Sequence, residues 1–75
     1  MAIETEIREW FKKCRREMGL SRSALAERIG VGLSSIERFE NGRGMMRLSE
    51  IEKGFNEMGY DTVFSLRIKE LLTNK

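Results

Sequence analysis

The amino-acid sequence predicts a mostly α-helical domain of four to five short helices, followed by a C-terminal β-strand. Apolar residues recur at three- and four-residue spacing through most of the chain, and glycines stand where each helical pattern stops. The chain contains no proline, the residue that most disrupts helices. Its 75 residues leave room for one hydrophobic core, so we expect a single small domain.

The first helix is predicted over about residues 3–18, because an apolar stripe runs through this segment and stops before Gly19. The same segment contains the run KKCRR at residues 12–16, which indicates either a solvated helix face or a contact to a polyanion. The cysteine of the stripe is expected to be a small buried hydrophobe rather than a reactive thiol. The stripe consists of Ile3, Ile7, Trp10 or Phe11, Cys14 and Met18.

Two shorter helices are predicted over about residues 22–29 and 33–41, joined by the glycine-containing turn 30–32. Ser21 is a favourable N-cap for the first of them, which presents a narrow inward face. On a helical wheel of the second, Ile36 and Phe39 point to the core and the opposite face is polar. Two apolar anchors can hold this helix and leave its remaining surface to another molecule. The inward face of the first helix consists of Leu25, Ala26 and Ile29.

A fourth helix is predicted over about residues 48–58, with Leu48, Ile51, Phe55 and Met58 pointing inward. Gly54 inside this helix indicates a close approach to another helix. The sequence therefore gives a helical domain at residues 1–59, followed by a different kind of segment at residues 60–75.

The segment after residue 60 alternates apolar and polar residues and is rich in β-forming residues, which predicts a strand. A lone strand leaves its backbone hydrogen-bonding groups unpaired, so we expect it to pair with the same strand of a second copy. Continuation as a helix into residues 68–75 is the alternative. The residues assigned to dimerisation are Val63, Phe64, Leu66 and Ile68.

The composition excludes several classes of function. With one cysteine and no histidine, the chain has no intramolecular disulfide and essentially no ligands for structural zinc, so no metal or cofactor is expected. An enzyme is not expected either, because the sequence has no histidine and no Gly-rich phosphate loop, and its one cysteine lies on an apolar stripe. The N-terminus lacks the apolar run of a secretory signal, and no segment reaches the roughly 20 apolar residues of a membrane span. We therefore expect a cytoplasmic location and no membrane contact.

Residues 19–44, GLSRSALAERIGVGLSSIERFENGRG, resemble the helix-turn-helix domain of phage repressors, Cro and their bacterial relatives. The run SSIERFENG is the most specific part, since this family commonly shows S-I-x-x-x-E-x-G there. The resemblance extends over residues 7–59, and residues 60–75 are similar to C-terminal strands that swap across the dimer in some antitoxin-type members. It implies a compact lambda-repressor-like fold whose helix 33–41 enters the major groove of double-stranded DNA.

The resemblance also implies roles for individual residues. An arginine at position 38 can donate to both acceptors of guanine in the major groove. Glu40 resembles an acid that pairs with Arg15 and orients the helix, although an ordinary exposed pair is the alternative. The base-reading positions are Leu33, Ser34, Ser35 and Arg38. The phosphate-binding positions are Ser21, Arg22, Asn41, Arg43, Arg47 and Arg15.

Four positions depart from the family or leave their role open. Arg22 stands where relatives usually have glutamine, and Gly32 replaces the usual serine or threonine N-cap. Leu33, where relatives often have glutamine or arginine, either touches a thymine methyl group or packs locally. Glu37 is expected to face solvent, with acceptance of a hydrogen bond from cytosine N4 as the alternative.

Two functional hypotheses follow. The first is a transcriptional regulator, expected to be a repressor, that binds palindromic operator DNA as a homodimer. The second is an antitoxin that binds a toxin protein and regulates its own operon, motivated by the C-terminal strand and by Met45 and Met46, which are expected to be exposed. A controller protein of a restriction–modification operon is a further variant of the regulator.

Overall fold

The computed structural model describes residues 3–60 and residue 70. Residues 3–60 contain four α-helices, and Glu70 has a helical backbone. The four helices are α1 (Ile3–Glu17), α2 (Arg22–Ile29), α3 (Leu33–Glu40) and α4 (Leu48–Glu57). Each bound lies within one residue of the range expected from the sequence. The expected strand, with Val63, Phe64, Leu66 and Ile68, lies outside the described residues. No helix in the described part is both long and apolar enough to cross a membrane.

Short capping interactions set the ends of α1 and α2. The backbone N–H of Leu20 donates to Arg15 O over 3.1 Å, which closes the end of α1. Ser21 is the N-cap of α2, as predicted, and its hydroxyl oxygen accepts a hydrogen bond from the backbone N–H of Ala24 over 3.0 Å. Gly30 ends α2 with φ 76°, a left-handed conformation that bulkier residues rarely adopt. These signals allow α2 and α3 to follow one another through only three residues, 30–32.

Three aromatic rings form the centre of the core. Phe11 of α1 is fully buried and meets Phe39 and Phe55 edge-on, with ring centroids 5.2 and 5.4 Å away. Gly54 of α4 lies against the same ring, because a Cβ atom there would stand 2.5 Å from Phe11 Cε2. The close helix approach expected at Gly54 is therefore confirmed, and α1 is the neighbouring helix.

The core holds α3 by its two predicted anchors. Ile36 and Phe39 are 0% and 1% exposed, and α3 packs against both α1 and α2. Leu25, Ala26 and Ile29 of α2 are buried as expected, and so is Cys14. α3, whose buried apolar residues are Ile36 and Phe39, is thus firmly packed against the core, which leaves its other face to be explained.

Three apolar residues occupy positions that differ from the sequence-based expectation. Met18 is 48% exposed, because it follows the last residue of α1 and lies beyond the stripe that faces the core. Leu48 is 59% exposed, because it is the first residue of α4 and precedes its buried face. Met46 was expected on the surface but is 7% exposed and reaches the core from the loop before α4. Only Met45 of the two methionines is exposed.

Candidate functional site

The outer face of α3 presents the polar residues that the helical wheel placed there. Ser34 and Arg38 are exposed, whereas Ser35 and Glu37 are half-buried. Leu33 is 42% exposed, which makes its side chain available for an apolar contact with another molecule. The first residues of α3 thus form a mixed surface of hydroxyl, apolar and cationic groups rather than a uniformly charged one.

A buried ion pair joins the last residue of α3 to α1. The side chain of Glu40 is fully buried, and its two oxygens accept from Arg15 Nε over 2.7 Å and from Arg15 Nη2 over 2.9 Å. Arg15 Nη1 also donates to the carbonyl of Leu20 over 2.8 Å. The Arg15–Glu40 pair expected from the sequence is confirmed, and it is a buried two-bond pair rather than an ordinary exposed one.

A second arginine shares the same carboxylate. Arg22, the first residue of α2, donates from Nε to Glu40 Oε1 over 3.0 Å. Its Nη2 lies 3.5 Å from Asn41 Oδ1. Glu40 therefore ties α3 to both preceding helices, and every buried side-chain nitrogen or oxygen in the described residues has a hydrogen-bond partner.

The two arginines control the ionisation of Glu40. Burial alone would raise the pKa of this carboxyl group, but hydrogen bonds from Arg15 and Arg22, together with their charges, hold the pKa below its usual value. The carboxylate thus stays charged at neutral pH. Through its ion pairs with Arg15 and Arg22, this charge holds the end of α3 against α1 and α2.

Burial in this cluster makes Arg15 different from the other residues that the resemblance implies as phosphate-binding. Arg15 is only 8% exposed, and three of its nitrogens already donate inside the protein. Arg22 keeps 30% of its side chain exposed beside Asn41, which is itself exposed. The structure therefore places Arg15 as an internal support of α3 and Arg22 at the edge of the surface.

Arg8 of α1, which no sequence pattern marks as a site residue, also contacts the end of α3. Its Nε donates to the backbone carbonyl of Phe39 over 2.8 Å. The spacing was the available signal, since Arg8 and Arg15 lie seven residues apart and therefore on one face of α1. Without knowledge of how α1 crosses α3, that spacing does not reveal which face meets the helix end.

An open cleft lies between α3 and the loop that leads to α4. Ser35 and Arg38 line it from α3, and Met45 and Arg47 line it from the loop. Arg47 is placed by the start of α4, because its backbone N–H donates to Glu50 Oε1 over 3.2 Å. Two predicted base-reading residues and one predicted phosphate-binding residue are thus brought together along one side of α3.

The remaining predicted site residues lie on the surface at either end of these elements. Ser21 is exposed, with its hydroxyl oxygen already occupied as the N-cap of α2. Asn41 and Arg43 are exposed in the turn that follows α3. Together with Arg38 and Arg47, they make a cationic and hydrogen-bonding rim around the second half of α3, which suits a polyanion.

Cys14, the single thiol of the chain, does not belong to this surface. It is 3% exposed within α1. Burial raises the pKa of its thiol, and the nearby charge of Glu17 acts in the same direction, against smaller opposing effects of Lys13 and Trp10. A protonated, buried thiol is a packing group rather than a nucleophile.

Comparison with known proteins gives one match. A family model described as a helix-turn-helix domain matches residues 6–53, which include all of α2 and α3 and every residue of the surface described above. No curated protein and no solved structure matches the chain.

Proposed function

Because this chain belongs to the helix-turn-helix domain family, we propose that it is a sequence-specific, DNA-binding transcriptional regulator. In this proposal α3 lies in the major groove of double-stranded DNA. The observation that carries it is the division of α3 into two faces. Ile36, Phe39 and Glu40 are buried, whereas Leu33, Ser34 and Arg38 remain on the surface.

The exposed residues divide into two chemical groups. Leu33, Ser34, Ser35 and Arg38 belong to α3 itself, so they are the proposed readers of base edges. The others lie at the rim, where contacts to the DNA backbone fix register and orientation without reading sequence. The proposed phosphate contacts are Ser21, Arg22, Asn41, Arg43 and Arg47. Arg15 is assigned to the support of α3 instead.

The finer assignment is a regulator of the phage repressor and Cro type that represses from palindromic operators as a homodimer. The run SSIERFENG supports the type, and the alternating pattern at residues 63–68 supports dimerisation. Phe64→Asp should then shift the protein from dimer to monomer in analytical ultracentrifugation. An unaffected dimer would move the proposed interface to another part of the chain.

An antitoxin or a restriction–modification controller is the second candidate. Exposed methionines were part of the reason for the antitoxin hypothesis, and Met46 is buried. Met45 alone is a weak indication of a protein partner. We therefore place DNA-dependent regulation first, with a toxin protein as the alternative partner.

Selection of binding sites from random duplex DNA tests the proposal. We expect enrichment of a palindrome whose half-sites have centres about 34 Å apart. Affinity for it should fall as salt rises, with a slope of about 0.9 in log–log units for each phosphate contacted. Equal affinity for selected and random duplexes at the same salt concentration would refute sequence-specific binding.

Arg38→Ala sharpens the selection experiment to one residue. Loss of a two-bond contact to a base should remove about 1–3 kcal/mol of discrimination at one base pair in each half-site. Arg28→Ala is the matched control, because Arg28 is an exposed arginine of α2 outside the proposed surface. If both variants select the same sites as the wild-type protein, Arg38 does not read a base.

A further inference from the structure

We propose that Arg8 is a positioning residue for DNA reading: from α1 it holds the turn that follows α3, residues 41–43. The proposal rests on the DNA-binding function proposed above. Arg8 is distinct from the residues placed on the DNA surface, because its side chain donates a hydrogen bond to the backbone of α3.

The first observation is the hydrogen bond at the end of α3. Arg8 Nε donates to Phe39 O over 2.8 Å, and the backbone N–H of Gly42 donates to the same oxygen over a longer 3.2 Å. The last carbonyls of a helix lack partners within the helix, and the helix dipole makes this end negative. A guanidinium group there supplies both a donor and a positive charge.

The second observation is the position of the guanidinium group over the turn. A Cβ atom on Gly42 would lie 3.8 Å from Arg8 Cζ and from Arg8 Nη1, so the group packs against this glycine. Gly42 has φ 76°, and the next backbone N–H, that of Arg43, donates to Arg38 O over 2.8 Å. Arg8 thus lies beside the backbone that carries the side chains of Asn41 and Arg43.

The third observation is that Arg8 does not act alone. Arg15, two helical turns further along α1, binds Glu40 at the same end of α3. Arg15 holds the side chain of Glu40, whereas Arg8 holds the backbone carbonyl of Phe39, so the hydrogen bond from Arg8 adds to the core packing of α3 a further restraint on rotation about its axis. Rotation of α3 is the motion that would move Arg38 away from the base it reads.

Hydrogen exchange in the DNA-free protein tests the structural half of the proposal. In Arg8→Gln, the amides of Gly42 and Arg43 should exchange about tenfold faster, the effect expected for loss of one hydrogen bond to a charged group. Arg16→Gln is the matched control, because it removes the same charge from an exposed position of α1. Unchanged exchange at both amides in Arg8→Gln would overturn the proposal.

DNA binding separates positioning from direct phosphate contact. The affinity ratio between the selected operator and a scrambled duplex should fall about tenfold in Arg8→Gln and also in Arg8→Lys, because lysine keeps the charge but has no donor at the Nε position. The salt slope should stay that of the wild-type protein. A smaller slope in Arg8→Gln, by about 0.9, with normal binding by Arg8→Lys would make Arg8 a phosphate ligand and overturn the proposal.

The two measurements also distinguish this inference from the function on which it rests. If the wild-type protein shows no preference for any duplex, the proposed function is refuted, and so is the role of Arg8 in DNA reading. The exchange rates then still decide whether Arg8 holds the turn. If the wild-type protein selects an operator and both Arg8 variants retain its affinity ratio, only the positioning role of Arg8 is overturned.

Discussion

The two ends of α3 are held in opposite ways. At the C-terminal end, Glu40 binds two arginines, the carbonyl of Phe39 accepts from a third, and Gly42 closes the turn. At the N-terminal end the N-cap is Gly32, which provides no side-chain hydrogen bond, and Leu33 is 42% exposed. Side chains from the rest of the protein thus concentrate on one end of a helix only eight residues long.

This difference suits the recognition role that we propose for so short a helix. The first backbone N–H groups of a helix lack acceptors within it and carry the positive end of the helix dipole. In α3 the N–H of Ser35 donates to Gly32 O over 3.0 Å. Because no side chain of residue 32 occupies the N–H groups of Leu33 and Ser34, these two remain available to a partner. The recognition helices of helix-turn-helix proteins meet base edges with their N-terminal residues. In the proposed function, α3 is therefore oriented from its C-terminal end and meets DNA with its N-terminal end.

Among changes at the C-terminal end of α3, replacement of Glu40 should lower the free energy of unfolding most. Glu40→Ala leaves Arg15 buried without its counter-charge, so the free energy of unfolding should fall by about 3–5 kcal/mol in urea titrations. Glu40→Gln, which keeps one acceptor oxygen and replaces the other by an NH2 donor, should lose less and remain folded. Glu27→Ala, at an exposed glutamate of α2, is the control and should stay within about 0.5 kcal/mol of the wild-type protein. A similarly small loss in Glu40→Ala would mean that the cluster does not fix α3.

Low pH should weaken the contacts at the C-terminal end of α3 even in the wild-type protein, because it protonates Glu40. The pKa of Glu40 is lower in the folded protein than its ordinary value of 4.5, so its contribution to stability is complete above that value. The contribution is lost as the pH falls below 4.5 through the folded pKa. Urea midpoints between pH 7 and 3 should therefore decline more steeply for the wild-type protein than for Glu40→Gln. Parallel curves for the two proteins would contradict the assignment.

A glycine-to-serine substitution should change the free energy of unfolding in opposite directions at the two ends of α3. Gly42→Ser forces a side chain onto a backbone with φ 76° and should lower the free energy of unfolding by about 1–2 kcal/mol. Gly32 has φ −72° and ψ 150°, a conformation suited to an N-cap serine. Gly32→Ser should therefore stabilise the protein by about 0.5–1 kcal/mol. Thermal unfolding measures both, and effects of equal sign would remove the contrast between the two ends.

Much of this arrangement could be predicted from the sequence because its signals are local. The helix bounds follow from the spacing of apolar residues and from the glycines at which the helices end. Ser21 is recognisable from the sequence as an N-cap, and Gly54 as a site of close helix approach. The pairing of Arg15 with Glu40 came from the family resemblance. The burial of that pair did not, because exposure depends on how α1 and α2 close over the end of α3.

The hydrogen bonds of Arg8 with Phe39 and of Arg22 with Glu40 could not be predicted, for a physical reason. Arginine side chains are long, so each can reach several acceptors, and the choice depends on the distance between helices rather than on sequence spacing. The exposure of Leu48 and the burial of Met46 were missed for a related reason. Both lie near the start of α4, where the direction of the preceding loop decides which side chain meets the core.

Hydrogen exchange along α3, with and without the selected operator, tests most directly whether this helix is fixed at one end and reads DNA with the other. In the free protein we expect slow exchange at the amides of residues 40–43 and fast exchange at residues 33 and 34. Operator DNA should then slow exchange at residues 33 and 34 while leaving residues 40–43 nearly unchanged. Equal exchange at both ends of free α3, or DNA-dependent protection confined to α4, would contradict the assignment of α3 as the recognition helix.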